Sequence, residues 1–190
     1  MDLVSYALVT LDNTKTFLGI STHEKDELLK MLINMSTDFI ETKCGRRFAS
    51  TVYTDSKYNG TGNNELVLTQ FPVISFTSLY RNTSCDNSDN WELIDSSDYW
   101  IDLSSGVISK TSIFSKGVQN YKVTYTGGYA TIPYDLQYSC MTFVSDFLTK
   151  GKSSGIKSES LGDHSITFED IYQTNNTIKD ILNNYMNVSL

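Results

Sequence analysis

The stretch Tyr125-Thr-Gly-Gly-Tyr-Ala-Thr-Ile-Pro-Tyr-Asp-Leu-Gln-Tyr-Ser-Cys140 decides how the chain is read. Before it, Tyr121, Val123 and Tyr125 alternate with Lys122, Thr124 and Thr126, the period of a strand. After it, Leu136, Cys140, Phe143 and Phe147 recur at helical spacing, with Val144 and Leu148 beside them. Gly127 and Gly128 can take positive φ at little cost, so the strand ends in a sharp change of direction. Pro133 holds Ile132 extended and presets its own φ for a first helical residue. Asp135 then falls in the first turn, where the helix dipole favours a carboxylate. Gly127, Gly128, Pro133 and Asp135 are therefore expected to form a structural switch from strand to helix. The glycine pair lacks the spacing and the lysine of a phosphate loop, so the stretch reads as a connector without chemistry of its own.

Working outward, the helix after Pro133 is expected to run to Lys150 and end at Gly151. Lys152-Ser-Ser-Gly155 reads as a flexible joint. A polar segment, Ser158–Thr167, follows. A last amphipathic helix is expected with Asn176 or Thr177 as its cap. Its apolar residues are Ile178, Ile181, Leu182, Tyr185 and Met186. Two placements of this helix stay open: docking on another protein, or packing on its own bundle.

On the other side of the stretch, residues 48–125 follow a period of two. Thr51–Tyr58 and Glu65–Thr69 read as a hairpin joined by Asn59–Asn64. Val73–Arg81, Trp91–Ile94, Trp100–Leu103 and Val107–Lys110 read as further strands, with Asn82–Asn90 as an exposed loop. Two helices precede this region. Leu11–Leu18 has Thr10 as cap and Gly19 as its end signal, and Leu11, Phe17 and Leu18 are expected to face inward. Glu24–Cys44 starts at the capping box Ser21-Thr-His-Glu24 and closes at Gly45. Its expected stripe is Leu28, Leu32, Met35 and Phe39, flanked by Leu29, Met31, Ile33 and Ile40, on about 30 Å of helix.

Helices on either side of a β-region must meet, because neither buries its stripe alone. The expected fold class is α+β: a small bundle of three main helices, with a β-rich insertion between helices two and three and a C-terminal tail helix. The expected divisions are residues 1–47 with 130–151 for the bundle, 48–129 for the insertion, and 152–190 for the joint and docking tail.

Composition limits the function classes. The 190 residues are 39% hydrophobic and 19% charged, with a formal net charge of −7 and no basic run. Such a surface repels phosphate and argues against tight nucleic-acid binding. The N-terminus lacks the basic and apolar regions of a signal peptide, and no apolar run approaches a membrane span. Cys44, Cys85 and Cys140 are odd in number and widely spaced, which fits neither a disulfide framework nor a zinc site. His23 reads as a solvated polar residue. His164, between Asp163 and Ser165, cannot form a relay with its own neighbours, since a triad converges from separate elements. Asp86 with Asp89, and Asp95 with Asp98, read as loop acids. No catalytic, metal or cofactor site is expected, and no enzyme. A glycan-binding β-module using Trp91 and Trp100 is the alternative reading.

The order of these features resembles the phage head–tail connector, or adaptor, family. The N-terminal run Ala7–Ile20 is similar to that family's opening helix. Ile40, Glu41, Cys44, Gly45, Arg46 and Phe48 match the ending of its second helix, and Phe71-Pro-Val-Ile-Ser75 its strand start. Val123–Tyr129 with Pro133, Asp135 and Leu136 resembles its strand-to-helix signature, and Ser160–Asp163 with Ile181–Tyr185 its tail. The resemblance implies a structural virion protein of the neck, assembled in the host bacterial cytoplasm. It implies a homo-oligomeric ring, usually twelve-fold, below the portal protein. Such a ring extends the DNA channel and offers a platform to a stopper or tail protein. It further implies that the tail, through Ile178, Ile181, Leu182, Tyr185 and Met186, engages the portal. Genomic DNA would pass without sequence-specific binding, and no membrane would be involved.

Overall fold

The computed structural model describes residues 2–84, 89–154 and 168–186. It is α+β, with a β-rich region between the second and third helices and further helices at the C-terminal end. The chain divides into two compact units. One comprises Met1–Phe48 and Thr131–Leu190, and the other Ala49–Ala130.

The first unit is helical. Its α1 spans Leu11–Leu18, with Thr10 accepting the Asn13 N–H and Gly19 in the left-handed region, as the cap residues foretell. The buried side of α1 differs from expectation. Thr14 and Lys15 are buried while Phe17 is 43% exposed. Lys15 can go inward because its ammonium meets Asp26 at 2.7 Å. Helix α2 spans Asp26–Cys44 and ends at Gly45, also left-handed. The expected capping box does not form. Lys25 occupies the cap position without a side-chain bond, and Asp26 is instead engaged by Lys15 and His23. The stripe is also rotated. Leu29, Ile33, Thr37, Ile40 and Glu41 face in, while Leu28, Met31 and Met35 are about two-fifths exposed. Thr37 is tolerated on the buried face because its Oγ1 accepts the Leu8 N–H at 3.2 Å.

Helix α3 spans Tyr134–Ser154, running past Gly151 and through the first residues of the expected joint. One interior glycine costs a helix only about 1 kcal/mol, too little to stop it without a cap or a proline behind it. The remainder of the joint and of the polar segment, with His164 and Ser160–Asp163, lies outside the described residues, as do Cys85 and Asp86. Two helices follow. Helix α4 covers Phe168–Thr174, and α5 covers Asn176–Asn183 with Asn175 as its cap, one place earlier than expected.

Among the described residues the second unit contains seven strands: β1 Thr51–Gly60, β2 Glu65–Val67, β3 Val73–Asn82, β4 Trp91–Leu93, β5 Tyr99–Asp102, β6 Val107–Lys110 and β7 Gly117–Gly127. They form two antiparallel sheets, ordered β1-β7-β3-β4 and β2-β6-β5. The expected hairpin of β1 with β2 is therefore absent, since β1 pairs with β7 and β2 with β6. The Asn59–Asn64 turn carries the chain from one sheet to the other. Its Asn63 and Asn64 carbonyls accept the N–H groups of Phe114 and Lys110 rather than closing a hairpin ladder. The sheets share one core, built around Tyr58, Leu66, Leu79, Ile108, Phe114, Tyr121 and Tyr125. Each such residue contributes about 1.5–3 kcal/mol by leaving water. The Tyr58 and Tyr125 hydroxyls meet at 3.0 Å, so neither buried oxygen is left unanswered.

Candidate functional site

The switch residues are where the opening stretch is put to use. Gly128 has φ of 105° and its N–H reaches the Pro72 carbonyl. Gly127 ends β7, and a Cβ there would lie 3.0 Å from the Gln70 Cβ and from the Tyr125 ring. The two glycines thus serve different needs: Gly128 supplies a positive φ and Gly127 permits a close approach. Pro133 stands one place before the first helical residue, and its carbonyl accepts the Gln137 N–H. Asp135 has a further role. Its carboxylate oxygens each lie 2.8 Å from the Tyr185 hydroxyl, which donates to them from the tail.

That bond belongs to a clasp between the tail and its own helical unit. Ile178 and Leu182 on α5 are fully buried, and Ile181, Tyr185 and Met186 are half-buried. The Leu182 carbonyl accepts the Cys44 thiol at 3.8 Å, and Tyr185 packs edge-on against Phe48. Helix α4 adds buried Ile171 and Tyr172. Lys43 pairs with Glu169 at 2.7 Å and stands 5.1 Å above the Tyr172 ring. Sequence reading passed over α4, although Phe168, Ile171 and Tyr172 sit at helical spacing. Of the two placements left open for the tail helix, the isolated chain adopts packing on its own unit. Burial pushes the thiols of Cys44 and Cys140 up to about 11 and about 12, so both are inert core groups.

In the β unit a cavity of about 590 Å³ is lined by residues of β3, β4 and β6 and of the segments that follow β4 and β6. Arg81 and Glu92 line it as an ion pair at 2.8 Å, Asp95 and Asp98 stand beside it, and Lys110 contributes from β6. Asp95 accepts the Ser97 N–H and is held below the usual carboxylate range by that bond. The expected loop-acid reading of Asp95 is what its geometry shows. Asp89 likewise accepts the Trp91 indole N–H at 3.0 Å. Asp102 is drawn down to about 2 by Ser104 and Ser105, closing the turn into β6. A second cavity, about 310 Å³, is lined by Lys57, Asp89 and Trp91. The indole of Trp91 lies near the ammonium groups of Lys57 and Lys122, at 5.7 and 5.1 Å. Trp91 and Trp100 belong to different sheets.

Among the described residues no cluster of His, Cys, Asp or Glu could hold a metal ion, and no helix is long and apolar enough to cross a membrane. His23 bonds to Asp26 at the start of α2. What the geometry does present is a helical unit clasped by its own tail and a β unit with open sheet edges and a charged mouth.

The family profile of the head completion protein matches residues 7–188, and the chain belongs to that family. The family is a structural one and not an enzyme class. The connector resemblance read from the residues agrees with it. Among solved structures, the fold is similar to a chain in the neck of an empty gene transfer agent particle computed with C6 symmetry. That likeness has a TM-score of 0.57 at 11% identity and covers 100% of this chain and 95% of the other. A chain in the virion of the native gene transfer agent particle matches with a TM-score of 0.56 at 10% identity, covering 100% and 95%. A chain in the native particle's neck, computed with C12 symmetry, matches at 0.53 and 10% identity, covering 100% and 94%. A search of curated proteins found no match.

Proposed function

We propose that this head completion protein is a connector of the virion neck, forming a ring below the portal that continues the DNA channel and carries a stopper or tail protein. The observation that supports it most is the likeness of fold along the whole chain to chains of gene transfer agent necks. A twelve-fold ring is the proposed state, assembled in the bacterial cytoplasm. Ring contacts of this kind are head to tail and need two different faces of each subunit. Leu28, Met31 and Met35, exposed along α2, supply an apolar stripe suited to one of them. The net charge of −7 suits a conduit through which DNA slides, because cationic walls would hold phosphate. The test is electron microscopy of the chain mixed with the portal of its own particle. A ring stacked on the portal is expected, and chains that stay dispersed would sink the proposal.

The tail is proposed to touch the portal through its half-buried margin, Ile181 and Met186, while Ile178, Leu182 and Tyr185 anchor it. The double variant Ile181→Glu with Met186→Glu is then expected to fold and to lose portal binding. Binding at wild-type strength would remove this role.

A further inference from the structure

Lys110 is the least explained group in the molecule. Its backbone is fixed by pairing with Tyr99 on β5 and by its N–H bond to Asn64. Its side chain points to the inner face of its sheet and is only 5% exposed. The ammonium stands 4.6 Å from the centre of the Phe114 ring and 5.7 Å from that of Tyr121. Those ring faces answer part of a buried cation's need but accept no ordinary hydrogen bond. Among the described residues, no carboxylate lies within ion-pairing distance of Nζ. The Asp98 charge reaches it from beyond that distance, and Glu92, across the cavity, is taken by Arg81. Desolvation, with the Arg81 charge adding to it, pushes the Lys110 ammonium below its usual value. The group therefore lines the 590 Å³ cavity with its ammonium over two rings and without a hydrogen-bond acceptor among the described residues.

We propose that this cavity is a binding site for a carboxylate on an extended peptide segment of a neighbouring protein, with the Lys110 ammonium as the acceptor's partner. Three observations select that ligand. A single carboxylate satisfies Lys110 at close range. The rim acids Asp95 and Asp98 repel polyanions such as DNA phosphates, yet accept N–H groups from a peptide backbone. The strand beside the cavity, β4, is the outermost of its sheet, so one of its edges has no strand partner among the described residues. Its Leu93 is 58% exposed at that edge. An incoming segment can thus add to β4 and drop an acidic side chain onto Lys110. A cavity of this size falls within the ordinary range for ligand sites. That the segment comes from another neck protein rests on the proposed function, whereas the chemistry of the cavity does not. A test on the isolated chain therefore separates the two.

The experiment titrates the ¹⁵N-labelled chain with acetyl-valyl-glutamyl-valine amide, with its glutaminyl analogue, and with sodium acetate, at millimolar concentrations. Saturable shifts are expected at Arg81, Leu93, Ile94 and Lys110. The glutaminyl peptide should bind about tenfold more weakly or worse, the ordinary worth of a charge-assisted bond. Acetate should leave the spectrum unchanged over the same range. Lys110→Met should abolish the response, and Lys110→Arg, which keeps the charge, should retain it. Equal binding of the two peptides, an undiminished response in Lys110→Met, or no response at all would each overturn the site. Acetate binding as tightly as the peptide would overturn the peptide occupant. If Lys110→Met fails to fold, the glutamyl and glutaminyl peptides on the unaltered chain still decide.

Discussion

Glu41 in the helical unit and Lys110 in the β unit are both charged side chains set among apolar neighbours, and their surroundings treat them in opposite ways. Glu41 accepts the buried Phe48 N–H at 3.1 Å and the Arg47 guanidinium at 2.9 Å. These bonds hold the chain just beyond α2 against the end of that helix. Lys110 has the faces of two rings and, among the described residues, no carboxylate at ion-pairing distance. Burial pushes both groups toward neutrality, raising the Glu41 carboxyl and lowering the Lys110 ammonium. A charge whose partners lie in its own chain supports the fold. One without them is available to something outside it.

The strongest attempt to break this comparison is Glu41→Ala. It orphans a buried N–H and takes the carboxylate partner from Arg47, so the chain should lose about 3 kcal/mol of stability in urea unfolding. A loss below about 1 kcal/mol would mean that Glu41 is no more needed than a surface acid.

The contrast also explains what could be read from residues alone. The caps at Thr10, Gly19 and Gly45 were legible because capping is local chemistry. The end of β7 at Gly127 and the start of α3 at Tyr134 follow from local chemistry of the same kind. The inward face of α2 was not, because Thr37 and Glu41 are buried by partners at Leu8 and Phe48, which periodicity cannot see. The pairing of β1 failed likewise: turn residues mark where a strand ends, not which strand it joins. Lys110 reads as an unremarked strand lysine. Its burial depends on Phe114 and Tyr121, brought over it by the closing of two sheets. The clasp was half legible, since the apolar spacing of Ile178 and Leu182 gave the helix but not its seat.

Lys110→Met sharpens the comparison from the other side. Methionine keeps the apolar stem and removes a desolvated charge that no described carboxylate pairs at close range. Stability should rise by about 1 kcal/mol, the sign opposite to Glu41→Ala. A fall as large as that of Glu41→Ala would show that the ammonium has a structural partner within the chain.

Asp135 offers a third case, a charge answered from within its chain but at an exposed site. Tyr185→Phe removes the hydroxyl that binds both carboxylate oxygens and keeps the ring against Phe48. Water can replace the lost bond, so the cost should be about 0.5 kcal/mol in the same unfolding measurement. A cost near that of Glu41→Ala would mean that being answered matters more than being buried.

The finest test asks whether Glu41 is held by its charge or by its capacity to accept hydrogen bonds. Its carboxyl is raised above 4.5, with desolvation the largest cause and the Phe48 N–H and Arg47 opposing it. The folded chain therefore binds this proton more tightly than the unfolded chain does. Ionisation removes stability as pH climbs from 4.5 toward the folded value, and changes nothing further above it. Glutamine offers an acceptor for the Phe48 N–H but has no proton to lose. The cost of Glu41→Gln should thus be greatest below that window and shrink across it, a change kept small because Arg47 reaches solvent. Urea unfolding of both proteins at several pH values reads this directly. A cost that grows with pH would show that the pairing with Arg47 outweighs burial, and would make Glu41 an ion-pair residue first and an N–H acceptor second.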